Sequence, residues 1–238
     1  MKLRKILLIL FLPAILNNLV SFAIGFWTYQ EVMRSGGSLE DIEYEVMCRL
    51  FTYNFYWSII QVGVGLYAAK LMGGLEWIKK QYSKEDFSER IGLSIALILV
   101  LILASQGLIT MEQLINSLFV GGWEKYMETW NYVVTRIPLW SKMYLVLIAP
   151  FTAGIFEEII WRGFGINTLE EHMSTKKAVI IQGIAFGLWH GISLHTLITF
   201  LIGVIYGYVY AKRRKLLNIS TAHILVDIIG FSWAFLFT

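Results

Sequence analysis

The chain has 238 residues, 57% hydrophobic and 16% charged, with a mean hydropathy of +0.61 and a formal net charge of +3. Soluble domains carry about 45–50% apolar and about 25% charged residues, so an ordinary soluble domain is excluded and a polytopic membrane protein is indicated. The small positive charge implies no nucleic-acid partner, and the lone Cys48 excludes both an internal disulfide framework and a cysteine-based zinc site.

From the N-terminus, Met1-Lys-Leu-Arg-Lys precedes an apolar run from Ile6 that continues past Asn17 and Asn18 to Trp27. The start is like a signal peptide, but no small-x-small cleavage site follows. It is therefore read as an uncleaved first span. Length and hydropathy predict about seven spans, near 6–27, 52–73, 91–110, 143–164, 178–194, 197–211 and 218–237. The sixth is short for a span of ~20 residues. Residues 28–50 are acidic, and 111–137 mix aromatic and aliphatic with charged residues, as an amphipathic interfacial helix does. The expected fold is all-α, with about seven transmembrane helices plus interfacial helices, in one integral membrane domain over 1–238. Nine Trp, twelve Tyr and fifteen Phe suit interfacial aromatic belts.

Placing the N-terminus in the cytoplasm puts 14 of the 20 Lys and Arg inside, 5 outside and Arg162 in the membrane. The positive-inside rule favours this orientation for a multi-pass cell-membrane protein. Lys212, Arg213, Arg214 and Lys215 then read as a stop signal, not a nucleic-acid patch.

Charge inside the fourth span is the strongest signal. Glu157, Glu158 and Arg162 sit in an otherwise apolar run, where each ionisable group costs about 2.5–3.5 kcal/mol to insert and marks a functional candidate. In an α-helix Glu158 and Arg162, four apart, share a face and can pair, while Glu157 points about 100° away. Glu157, without a local basic partner, is the candidate general base for water activation. Glu158 and Arg162 are expected to hold the site's shape.

Two further motifs follow. Phe186-Gly-Leu-Trp-His190 places Phe186 one turn before His190, within the predicted fifth span. Gly183, Gly187 and Gly191 recur every four residues, a spacing that permits close helix approach. His223 and Asp227 are again four apart, so Asp227 can orient His223, or both can face a substrate if Asp227 is protonated. His172, in a charged loop, and His195, at a span end, are set aside, as is Ser193. No serine or cysteine nucleophile and no His-Glu-x-x-His zinc signature is present. Glu157, His190 and His223 nevertheless have the ligand types of a catalytic zinc site, two imidazoles and a carboxylate.

Taken together, Glu-Glu-x-x-x-Arg, Phe-x-x-x-His and His-x-x-x-Asp, in that order and each in an apolar span, resemble the CAAX-protease and bacteriocin-processing family of intramembrane proteases. That family is related to the Ras-converting enzyme. The resemblance covers roughly 143–237, a catalytic core; the first 140 residues share only their membrane-spanning character. It implies an endopeptidase cleaving a peptide or membrane-protein substrate, in some members lipidated, at the bilayer. It further implies that Glu157 and His190 activate water, that Glu158 and Arg162 support them, and that His223 and Asp227 stabilise an oxyanion. The best-known members carry Asn where this chain has Asp227, and an ionised Asp cannot donate a hydrogen bond. Asp227 is thus either protonated or an orienting group for His223. The family has been read both as zinc-dependent and as a metal-free glutamate protease.

Two other readings use the same residues. One is a non-catalytic bacteriocin-immunity or scaffold protein, although this chain keeps the whole residue set. The other is a proton or ion pathway, for which the repeated broken-helix architecture of transporters is missing from the sequence.

Overall fold

The computed structural model describes residues 1–84, 87 and 90–236; position 237, the expected end of the last span, lies outside them. All regular structure among the described residues is helical. The chain runs through α1 (Leu3–Arg34), α2 (Leu39–Thr52), α3 (Phe55–Met72), α4 (Leu75–Gln81), α5 (Ile91–Phe119) and α6 (Trp123–Arg136). It continues through α7 (Leu139–Leu169), α8 (Thr175–Trp189), α9 (Leu194–Arg213) and α10 (Leu217–Leu236).

Five helices, α1, α5, α7, α9 and α10, are long and apolar enough to cross a membrane. The pair α3 and α4, bent by 95° at Gly73 and Gly74, makes up to six. The expected all-α polytopic membrane fold is therefore present, with five or six such spans against the seven anticipated. The difference lies in α8, which has 15 residues and at 1.5 Å per residue is about 22 Å long. A bilayer core is about 30 Å thick. Large apolar side chains such as Leu19, Phe22, Leu103 and Trp233 stand exposed on the spans, as a lipid-facing surface requires.

The two segments outside the spans are resolved into helices. Residues 28–50 divide between the end of α1 and α2, which Ser38 and Asp41 start with a reciprocal capping box. The 111–137 segment differs from expectation in its first third, because α5 continues to Phe119. Only α6 is interfacial in character, burying Val133 and Val134 against Cys48, Leu145 and Phe235.

Helix α7 is the hub. It breaks at Ile148, just before Pro150, and its later part, Ala153–Ile166, is wound as a π-helix. Such winding is rare beyond a single turn and concentrates at functional sites. Every residue from Glu157 to Ile166 is buried, so the segment is enclosed on all sides. Its neighbours approach closely because Gly154 has no side chain: a Cβ there would sit 3.1 Å from the Ser220 carbonyl oxygen and 2.9 Å from the Ile224 nitrogen. Trp161 donates to the Leu10 carbonyl (3.2 Å), tying the hub to α1.

Helices α8 and α9 form a tight antiparallel pair. A Cβ on Gly187 would meet the Thr196 carbonyl oxygen at 2.7 Å, and Gly203 lies against Phe186 and Gly183. The glycine spacing thus serves helix packing at 183 and 187, whereas Gly191 turns the chain with φ +100°. At one end of the bundle the Met1 amine pairs with Glu171 (2.6 Å) and Lys215 donates to the Lys80 carbonyl (2.7 Å). There Arg214 grips Glu170 with two bonds of 2.6 and 2.8 Å, which holds the Glu170 carboxyl below the usual carboxylate range.

Gly187→Ala should lower the thermal unfolding midpoint in detergent, since a methyl forced against backbone costs about 1–3 kcal/mol. A wild-type midpoint would contradict this packing.

Candidate active site

The π-helical winding changes where the two glutamates point. Its wider turn brings successive residues closer in direction than the ~100° of an α-helix, and both carboxylates are enclosed, Glu157 at 1% and Glu158 at 0% exposure. Glu157 Oε1 accepts from Gln61 Nε2 of α3 and from Trp189 Nε1 of α8, both at 2.7 Å. Its other oxygen, Oε2, has no hydrogen-bond partner among the described residues. The carboxylate without a basic partner on its own helix is thus held by two neutral donors from two other helices.

Glu158 and Arg162 do pair, with NH1 3.2 Å from Oε1. The contact lacks hydrogen-bond alignment, and the guanidinium is instead covered by aromatic faces: Phe186 at 4.1 Å and Tyr206 at 5.5 Å from its carbon. Stacking of this kind suits a buried guanidinium.

Glu158 Oε1 also accepts from His223 Nδ1 at 2.7 Å. Because an ionised carboxylate only accepts, this bond fixes the proton on Nδ1. The role of orienting His223, one of the two open to Asp227, is thereby filled by Glu158. Asp227 lies on the other edge of the ring, its Oδ2 3.8 Å from Nε2, with Glu157 Oε2 at 3.7 Å from the same nitrogen. The sequence could not give this, because Glu158 and His223 meet only when α7 and α10 pack.

His190 is not within a span, as expected, but is the C-cap of α8, with Gly191 reversing the chain after it. Its Nδ1 bonds the Phe186 carbonyl at 2.9 Å. A carbonyl only accepts, so Nδ1 carries the proton and Nε2 is left to act as base or ligand. Three rings fix the imidazole edge-to-face: Phe186 at 4.9 Å, Trp57 at 5.5 Å and His195 at 5.5 Å. Phe186 also packs against His223 at 6.2 Å, so one ring links both histidines.

Among the described residues no group of three His, Cys, Asp or Glu side chains is arranged to hold an ion. Glu157 and His223 adjoin, with Glu157 Oε2 3.7 Å from His223 Nε2, and their hydrogen bonds use the other atoms, Oε1 and Nδ1.

Residues 138–229 match the family model of type II CAAX prenyl endopeptidases, Rce1-like. Over this region, less than half of the chain, the sequence is similar to the CAAX-protease family. Neither the curated proteins nor the solved structures gave a match. At the level of the family, this match supports a CAAX-type intramembrane protease.

Part of the candidate site comes from outside the matched region. Gln61 was missed, although a buried amide in an apolar span was a signal for it. Asn17, noted only as a polar interruption of the first span, is 3% exposed and donates to the Trp189 carbonyl at 2.7 Å. Its Oδ1 accepts from Tyr56 OH (2.7 Å) and Trp57 Nε1 (2.9 Å). One amide thus aligns the tryptophan that binds Glu157 and the one that packs on His190. His195, set aside on sequence, stands against His190 and bonds Glu112 Oε2 through Nδ1 at 2.8 Å. Each of these needs a contact between distant helices, which no spacing rule encodes.

Asn17→Leu should strand the buried Trp189 carbonyl and the half-buried Trp57 indole N–H, each costing about 1–3 kcal/mol. Lower unfolding temperature and a shifted tryptophan emission are expected; unchanged values for both would count against the role given to Asn17.

Proposed function

We propose that the protein is an intramembrane endopeptidase that hydrolyses a peptide bond with a water molecule activated by Glu157 and His190. The supporting observation is the Glu157 carboxylate, buried, held by two donors at Oε1 and left open at Oε2. In this reading a water between Glu157 Oε2 and His190 Nε2 loses a proton to Glu157 as its oxygen attacks the carbonyl carbon. The tetrahedral intermediate collapses with cleavage of the C–N bond, and the proton from Glu157 goes to the leaving amine. General-base catalysis of this kind contributes about 10²–10⁴-fold.

His223 supplies the oxyanion donor. In its doubly protonated form it gives Nδ1–H to Glu158 and keeps Nε2–H for the developing negative charge. Arg162 and Glu158 act by holding that geometry. Asp227, beside Nε2 and not Nδ1, shares the oxyanion site and donates there only when protonated. None of these steps is routed through zinc.

The family likeness suggests a CAAX-type, prenylated C-terminal peptide as substrate, or another lipidated peptide or membrane-protein segment, approaching from the bilayer. The proposed orientation keeps the N-terminus cytoplasmic. Support comes from the bias of basic residues and from the shared bundle end where Met1, Glu170, Glu171, Arg214 and Lys215 meet.

Glu157→Gln should abolish release of product from an internally quenched farnesylated CAAX peptide in proteoliposomes, a loss of about 10²–10⁴-fold, while the protein still accumulates in membranes. His223→Ala should cost about 10²–10³-fold. Normal cleavage by folded Glu157→Gln protein would sink the proposal.

Asp227→Asn offers a permanent N–H donor at the oxyanion position and leaves the Glu158 bond to His223 intact. Cleavage should stay at the wild-type level or rise. A loss as deep as that of His223→Ala would show that the Asp227 carboxylate itself is required.

A further inference from the structure

Glu112 is the lone charged residue of α5, a helix that otherwise presents Leu99, Leu103 and Leu114 to lipid. It is only 8% exposed. A carboxylate so placed is costly and calls for a partner. That partner is His195, in the first turn of α9, whose Nδ1 lies 2.8 Å from Glu112 Oε2. The carboxylate accepts, so the proton sits on Nδ1 and the ring orientation of His195 is fixed.

The His195 ring meets the His190 ring edge-to-face, with centroids 5.5 Å apart and planes at 77°. His190 occupies a chain reversal, where the helix ends and its own backbone constrains the ring only through the bond to Phe186. Trp57 and Phe186 hold two sides of that imidazole; His195 is the third support and the one that reaches a buried charge. Neither Glu112 nor His195 has a part in the three motifs. Plain helix packing would not need a carboxylate in an apolar helix directed at a histidine beside the site.

We infer that His195, braced by Glu112, is a positioning residue for His190, fixing the imidazole so that its Nε2 addresses the attacking water. The inference rests on the water-activating role proposed for His190. A displacement of about 1 Å in such a group can cost as much as 10²-fold in rate.

The test uses the full chain in proteoliposomes and the same quenched farnesylated peptide. His195→Ala and Glu112→Leu should each lower kcat about tenfold or more with KM within about twofold. Glu112→Gln, whose amide oxygen still accepts from Nδ1, should restore most of the rate. The ring ¹⁵N signals of His190, assigned against His190→Ala, should shift in His195→Ala protein. If Glu112→Leu fails to fold, His195→Ala, at a half-exposed side chain, carries the test. Wild-type kcat in His195→Ala protein, or unmoved His190 signals, would overturn the inference. Should Glu157→Gln and His190→Ala cleave normally, the proposed mechanism fails; should they be inactive while His195→Ala is not, only the positioning role fails.

Discussion

Two carboxylates and a guanidinium enclosed in one apolar helix are the constraint around which the rest of the bundle is arranged. Each buried ion costs several kcal/mol unless it is paired and hydrogen-bonded. The hub helix cannot supply enough partners itself, since it offers only the contact between Glu158 and Arg162. The neighbouring helices supply the others: Gln61 from α3 and Trp189 from α8 on Glu157, and His223 from α10 on Glu158. Packing around α7 is thereby tied to neutralising it. The same donors leave the buried Glu157 Oε2 without a hydrogen-bond partner, which is the oxygen that the proposed mechanism uses.

A second layer holds the first. Asn17 of α1 aligns Trp57 and Trp189, and Tyr82 donates to the Ile155 carbonyl near the start of the π-helix while sharing a hydrogen bond with the Ser220 hydroxyl of α10. Arg162 is walled by Phe186 and Tyr206, and Phe186 in turn touches His190 and His223. A change in one aromatic ring is therefore felt at both histidines. The family resemblance begins at residue 138, yet Asn17, Gln61, Trp57 and Glu112 all precede it. The N-terminal helices do more than span the membrane: they complete the site's polar contacts.

The helix ends matter as much as the spans. His190 stands at the end of a helix too short to cross the bilayer by itself, with Gly191 turning the chain and Ser193 starting α9. Placing an imidazole at such an end frees it from a helix face and lets rings from α3, α8 and α9 define its orientation. The price of that freedom is dependence on those neighbours, and the glycine-lined contact of α8 with α9 keeps them in place.

By itself the sequence determined the class of the molecule and singled out its candidate site residues. Apolar runs of membrane length require helices, because backbone groups in lipid must bond within their own segment, and Glu157, Glu158, Arg162, His190, His223 and Asp227 stood out because charge in such runs is expensive. Tertiary structure decided which of them meet. Four-residue spacing assumes an α-helix and pairs only residues on one helix; it anticipated Glu158 with Arg162 but not the π-helical winding. Nor could it assign Glu158 to His223, Gln61 and Trp189 to Glu157, or Glu112 to His195. Those contacts join residues from 32 to 96 positions apart, and only the packing of separate helices brings their polar atoms within bonding distance.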